Sequence, residues 1–331
     1  VFEVIQYREE LKKKWDEFID EEAMNGTFLQ SKNFLDYHPK ERFRDNSLVI
    51  DDGSGNTYCA IPGCVVYDNG QKVFISHKGS TYGGFIINRR YYQAHYVQDM
   101  INLFEGYLKQ NNFDQVILKI TPDIFCKTPP ALLEYLLKYN GYDNYEELSA
   151  YVDLTSLEGD FLYSFNANKR KLVRRMVESE FCFRELEKDD EIEAFHEILC
   201  KNLSKHNAAP IHSVTELLDF KNKRLCNNVK FFGVFYGEMM LAAGMMFQFP
   251  ELGVAHAQNL STDPFQNYGR LDPITFLYYG VIKYYRDKGY KKLSWGISTN
   301  ENGNVLNWGL IKNKESYGSI YSLNKTFYKR L

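Results

Sequence analysis

Apolar positions crowd most densely in the last third of the chain. Residues 231–249 (FFGVFYGEMMLAAGMMFQF) predict two strands about a tight turn at Gly237 and Glu238. Apolar and aromatic residues fill both arms without a proline, as a buried hairpin requires. Residues 254–261 (VAHAQNLS) predict a third strand, alternating small residues with His256 and Gln258. Residues 263–272 (DPFQNYGRLD) form a turn-rich loop that ends in a helix start. Asp272 is a good N-cap, and Pro273 takes the first helical position, where its missing N–H costs nothing. Apolar or aromatic residues at 274, 277, 278, 281, 282 and 285 then keep a helical period. Gly289 closes that helix, and 292–295 (KLSW) is the next short strand.

Upstream, the same pattern predicts a strand over 1–5 and a helix over 7–22, with Leu11, Trp15, Phe18 and Ile19 on one face. A connection over 27–38, helical near 34–37, leads to strands at 46–51 and 57–67 joined by the turn DGSGN. Strands at 72–76 and 84–87, a helix at 94–110, a strand at 115–120, a helix at 130–139 and a strand at 145–154 follow. The second half opens with a helix over 159–178, apolar at Phe161, Leu162, Phe165, Leu172, Val173 and Met176. A strand at 181–186 and helices at 191–205 and 214–222 lead into the hairpin. This order of elements occurs twice, before and after Thr155, with no residue-level repeat and no low-complexity linker. The reading is an α+β protein of two domains, 1–154 and 155–331, packed around a shared cleft that is the default site.

The chain has 331 residues, enough for two domains and a large core, and 16% of them are aromatic. The net charge of −3 provides no overall basic field for DNA. No apolar run approaches the roughly 18 residues of a membrane span. Charges interrupt the first 18 residues, which do not read as a signal peptide. The six cysteines (59, 64, 126, 182, 200, 226) are dispersed without CxxC spacing. They read as buried free thiols in a reducing compartment, the cytoplasm.

Candidate chemistry falls in five places. Residues 168–175 (NKRKLVRR) are the one dense basic cluster, and arginine forks suit phosphate; the bland reading is a solvated helix face paired with Glu178, Glu180 and Glu185. Residues 205–212 (KHNAAPIH) hold His206 and His212 around Pro210, either as a general base or as caps of neighbouring helices. His256 and Gln258, two apart on a strand, share a side. They either point into a cavity or are satisfied within the core. The loop at 266–272 leads to a helix N-terminus, where backbone N–H groups can hold phosphates. Ser298, Asn300, Asn307 and Lys314 are candidate substrate contacts, each of which also reads as turn chemistry or surface. No nucleophile elbow and no zinc spacing is present, so direct transfer without a covalent intermediate or a metal is expected.

Several short segments in order, KHNAAPIH (205–212), HAQ (256–258), Leu271 with Asp272, GIST (296–299), LNWGL (306–310) and KESYG (314–318), resemble GNAT-superfamily proteins related to the Fem peptidyltransferases. The likeness runs over most of the chain and is strongest from Phe165 onward. It implies two tandem GNAT-like domains and an acyltransferase. The enzyme would place an acetyl or aminoacyl group on an amine of an anionic precursor, a bacterial cell-envelope intermediate or a sugar nucleotide. By the resemblance, Lys169, Arg170, Arg174 and Arg175 hold the acceptor's phosphates. His256 first, and His212 second, take the amine proton. His206, Gln258, Ser298, Asn300, Asn307 and Lys314 are substrate contacts. Backbone N–H groups near 243–245 stabilise the oxyanion. Tyr268, Gly269 and Arg270 stand where coenzyme A pyrophosphate would bind, but the loop has one glycine of the usual two, and Asp272 adds an anion. Fem-type transferases do without that signature and take an aminoacyl-tRNA, so acyl-CoA and aminoacyl-tRNA both stand as donors. The rival expectation is a ligand-binding protein that kept the fold and lost the chemistry.

Overall fold

The computed structural model describes residues 2–39, 41–205, 207–266, 268–269 and 271–331. The chain forms two compact units. The first comprises Val1–Glu147, Glu301–Asn304 and Leu323–Leu331, the second Leu148–Asn300 and Val305–Ser322. The sequence reading divides the chain once, at 154; the fold divides it at 147 and returns the last nine residues to the first unit. They return because Thr326–Arg330 pairs antiparallel with Gln115–Lys119. The strand Ile320–Arg330 that carries them is absent from the sequence reading, since polar residues interrupt its apolar positions.

In the first unit, Glu3–Gln6, Leu48–Asp51, Thr57–Ile61 and Ile86–Ile87 make a small antiparallel sheet. A second ladder runs from the C-terminal strand through Gln115–Lys119 and Gln71–Ser76 to Gly63–Asp68 and Arg44–Asp45. The single strand expected over 57–67 is two strands, because Pro62 has no N–H for a ladder and the chain changes sheets there. Helix Ala94–Gln110 buries Val97, Met100, Ile101, Phe104 and Leu108. This is the one-sided apolar stripe its period predicts.

In the second unit the strand order is Phe181–Glu185, Val229–Tyr236, Met239–Phe249, Val254–Thr262, Lys292–Ile297 and then the 148–153 part of Asp143–Asp153. All neighbours are antiparallel except Val254–Thr262 with Lys292–Ile297, which is parallel. Helix Pro273–Asp287 crosses between these two strands and buries Phe276, Leu277, Val281, Ile282 and Tyr285 against the sheet core. Asp272 caps it and Pro273 is its first residue, as the sequence reading has it. The helix expected over 159–178 is broken: a short turn at Phe161–Ser164 ends in extended Phe165, and Asn166 caps a new helix, Ala167–Val177. Apolar spacing runs through both pieces, and so conceals the restart that the Asn166 side chain creates by accepting from Lys169 N–H.

The cysteines are free, but not uniformly buried: Cys59 and Cys64 are buried, Cys126 and Cys200 half-buried, Cys182 and Cys226 exposed. No described helix is long and apolar enough to cross a membrane.

Candidate functional site

The parallel pairing of Val254–Thr262 with Lys292–Ile297 covers three positions, Val254↔Lys292, Ala255↔Leu293 and His256↔Ser294, and then stops. Beyond it the two strands separate. Each carries an irregularity at the point of separation. Gln258 is left without a partner where Met245 and Met246 pair with Asn259 and Ala257, and Trp295 is skipped between Ser294 and Gly296. Bulges of this kind re-aim side chains and end pairing, and they gather beside active sites. Because of the bulge, strict alternation does not carry from His256 to Gln258, and the shared side expected of them has no basis in the ladder.

Three side chains, His256, Ser294 and Lys314, gather about the Gly296 backbone at the end of the pairing. His256 Nδ1 lies 3.1 Å from Ser294 Oγ, and the same oxygen accepts from Gly296 N–H at 3.2 Å. Gly296 has φ +72°, and a Cβ built there would stand 3.3 Å from His256 Cε1. Lys314 comes from helix Trp308–Glu315, which Asn307 caps by accepting from Leu310 N–H at 3.1 Å. Its ammonium donates to Gly296 O at 2.8 Å, Ile297 O at 2.7 Å and Ser298 Oγ at 2.8 Å. An ammonium has three protons, so these contacts use them all. Lys314 is thus a clamp on the 296–298 backbone. Burial pushes the Lys314 pKa down to about 8. Packing around the His256 ring, and then the Lys314 charge, push the imidazole down to about 4 and keep it neutral at pH 7. His256 retains some accessible surface. Trp295, at the bulge, is buried, and its Nε1–H has no hydrogen-bond partner among the described residues.

The oxyanion donors expected near 243–245 are not available. Ala243, Gly244 and Met245 pair with Gly233, Phe232 and Phe231 on one side and with Ser261, Leu260 and Asn259 on the other. A central strand commits its N–H groups to its ladders.

At the N-terminus of helix Pro273–Asp287 a second cluster forms. Lys169 Nζ donates to Asp272 Oδ2 at 3.0 Å and to Thr275 Oγ1 at 2.6 Å. Thr275 Oγ1 donates to Asp272 Oδ2 at 2.6 Å and lies 3.0 Å from Tyr317 OH. Asp272 therefore supplies an internal anion to the helix end that would otherwise attract a phosphate. Tyr268 turns its hydroxyl inward, among Leu241 O, Asp263 O and Thr262 Oγ1. Gly269 is left-handed at φ +61°, and Arg270 lies outside the described residues.

Of the basic helix, Lys169 is held by Asp272, and Arg174 pairs with Asp160 at 2.9 Å, not with the glutamates the bland reading names. Arg170 and Arg174 lie 5.0 and 5.7 Å from the centre of the Tyr163 ring, which is 71% exposed. Arg175 is exposed on the same helix.

Of the remaining candidates, Ser298 and Asn307 stay beside Lys314 and the others disperse. His212 is buried with its ring edge-on to Phe220, and His206 lies outside the described residues. Asn300 is exposed in the short pairing of Thr299–Asn300 with Val305–Leu306. Asn307 and Ser298 serve local structure: Ser298 N–H donates to Leu148 O, and Asn307 N–H to Ser298 O. Ser294 and Trp295 escape sequence reading because they look like ordinary strand filler, and Gly296 enters it only as the first residue of the GIST segment; the one physical signal is a glycine inside an apolar strand pattern. Among the described residues, no three His, Cys, Asp or Glu side chains stand where they could hold a metal ion.

No protein-family model matches the sequence, and no curated protein is significantly similar to it. Solved structures share its fold. FemX superposes with a TM-score of 0.72 at 11% identity, covering 99% of this chain and 97% of that one. The tandem GNAT protein from the clavulanic acid biosynthesis pathway gives 0.55 at 8% identity, covering 100% and 98%. L-PGS from Bacillus licheniformis gives 0.56 at 12% identity, covering 82% and 81%. The chain therefore has the fold that FemX and the tandem GNAT protein share.

Proposed function

We propose that the chain is an acyl or aminoacyl transferase whose reaction takes place where Val254–Thr262 and Lys292–Ile297 part. The observation that carries the reading is the end of parallel pairing at His256 and Ser294, flanked by two bulges and met by Lys314. In the proposed reaction an acceptor amine attacks the carbonyl carbon of the donor ester or thioester. A C–N bond forms, the C–O or C–S bond breaks, and the amine's proton leaves. The proposed step uses the tautomer in which Nδ1–H donates to Ser294 Oγ and Nε2 of His256 carries the lone pair that takes this proton. A base held so far below neutrality works weakly, and orientation of the amine is the larger part of its role. Lys314 positions the 296–298 segment from beneath.

An RNA-borne donor is favoured over acyl-CoA. Asp272, locked to Lys169, puts carboxylate at the helix end where a pyrophosphate would bind. The exposed Tyr163 ring with Arg170 and Arg174 over it is the stacking and cationic surface that single-stranded nucleic acid uses. The acceptor is an amine on an anionic cell-envelope precursor or sugar nucleotide, with Arg175 as the exposed cation that meets its phosphate. The rival reading, a binding protein without turnover, draws on the same Asp272–Lys169 lock.

The test is a single-turnover assay with aminoacyl-tRNAs and acetyl-CoA as separate donors and amino-sugar nucleotides as acceptors. Transfer from an aminoacyl-tRNA, reduced roughly 10²-fold by His256→Ala, is expected. Turnover with acetyl-CoA alone would overturn the donor assignment. Ligand binding with no product from any donor would leave the binding protein.

A further inference from the structure

Away from that site, helix Asp189–Ser204 sets His196 and Cys200 four residues apart on one face. The carbonyl oxygen of His212 lies 3.1 Å from His196 Nε2. A carbonyl only accepts, so Nε2 carries the proton, and Nδ1 of the neutral ring is the acceptor. Cys200 Sγ stands 3.6 Å from that Nδ1, which makes the thiol the donor. A thiol, an imidazole and a third group that fixes the tautomer is the arrangement by which protein thiols are activated.

Among the described residues, the other five cysteines have no such arrangement. Cys59 and Cys64 are buried, and burial pushes their thiols up, Cys64 to about 11. Cys126 is pushed up by burial too, and its Sγ donates to backbone carbonyls of Thr121 and Pro122. Cys182 and Cys226 are exposed. Exposure alone would make those two the first to react, ahead of half-buried Cys200.

We propose that Cys200 is a modification site, a His196-activated thiol that takes a low-molecular-weight disulfide to form a mixed disulfide. The proton passes from Sγ to His196 Nδ1. The thiolate attacks one sulfur of the disulfide, a new S–S bond forms, and the old one breaks. The electron pair leaves on the second sulfur, which takes up the imidazolium's proton and departs as a thiol. The incoming disulfide is the oxidant, so no further electron acceptor is needed. Because the same imidazole holds the His212 carbonyl, the adduct bears on the segment that leads into helix Val214–Asp219.

The full-length protein would be treated at pH 7 with limiting iodoacetamide and, separately, with oxidised glutathione, and each cysteine peptide quantified by mass spectrometry over time. Cys200 is expected to react at least about tenfold faster than Cys182 and Cys226, and His196→Gln to bring it to or below their rates. Equal or faster reaction at Cys182 or Cys226 in the unaltered protein would overturn the proposal. So would a His196→Gln protein whose Cys200 reacts undiminished. The wild-type ranking needs no variant, and it decides the matter even if His196→Gln fails to fold.

Discussion

At the scale of single residues, three neutral acceptors hold the Lys314 ammonium, Gly296 O, Ile297 O and Ser298 Oγ. Burial lowers its pKa from 10.5 to about 8. Between those values the unfolded chain binds a proton that the folded chain does not, so Lys314 makes stability rise with pH across that window. Below about pH 8 the buried charge carries its full cost, roughly 3 kcal/mol at most. Urea unfolding of Lys314→Met at pH 7 and pH 9.5 should therefore lack an upward slope that the unaltered protein shows; an unchanged slope would contradict the burial argument. The sign for His256 runs the same way on the acid side. Its folded pKa of about 4 lies below the ordinary 6.5, so stability falls as pH drops from 6.5 toward 4, and His256→Gln should flatten that limb. Gly296→Ala should cost about 1–2 kcal/mol, because an L side chain at φ +72° is strained. It should also slow transfer, since the new methyl presses on His256; a loss of stability without any change in transfer would separate Gly296 from the site. His256 was legible from sequence as a polar residue on an apolar strand, and Lys314 only through the resemblance of its segment, 314–318. That Lys314 braces the backbone was not legible, because that depends on acceptors at Gly296 and Ile297 that carry no side-chain signal.

Elements tell a parallel story. The start of helix Pro273–Asp287 could be read to the residue from Asp272 and Pro273, because capping is local chemistry. Its partner Lys169 stands 103 positions away in the chain, and no local pattern announces it. Asp272→Ala should remove the cap and the ion pair together, costing about 1–2 kcal/mol and lowering the melting temperature by a few degrees. Calorimetry on the variant checks this, and an unchanged melting temperature would show that the Lys169–Asp272–Thr275 cluster is not structural. The bulges at Gln258 and Trp295 were hidden for a different reason. Alternation is the signal from which strands are read, and a bulge is a break in alternation, so the two bulges that flank the candidate site leave no trace in the pattern. The broken helix at Phe165 and Asn166 and the divided strand at Pro62 are milder cases: the punctuating residue was visible, but the apolar period on either side outweighed it.

The molecule as a whole follows the tandem α+β plan that element order and resemblance suggested, but its thread does not. The chain leaves the first unit at Glu147 and completes that unit with Leu323–Leu331. Those residues pair with Gln115–Lys119, and Lys329 Nζ reaches Glu105 Oε1 and Asn140 O, both at 2.7 Å, while Lys325 pairs with Glu134. A chain ending at Ser322 should therefore melt earlier and aggregate through the bared edge of Gln115–Lys119. A circular-dichroism melt and size-exclusion chromatography check this; a truncated protein as stable and monodisperse as the full chain would show that the last strand is dispensable. The same thread sets a timetable for the newborn polypeptide. Thr326 follows Lys119, its ladder partner, by about 200 residues, so at ~5–20 residues per second the ribosome needs roughly 10–40 s to deliver the missing strand. Throughout that interval the earlier-made half waits with one sheet margin open, and its folding is completed only once Thr326–Arg330 has been made.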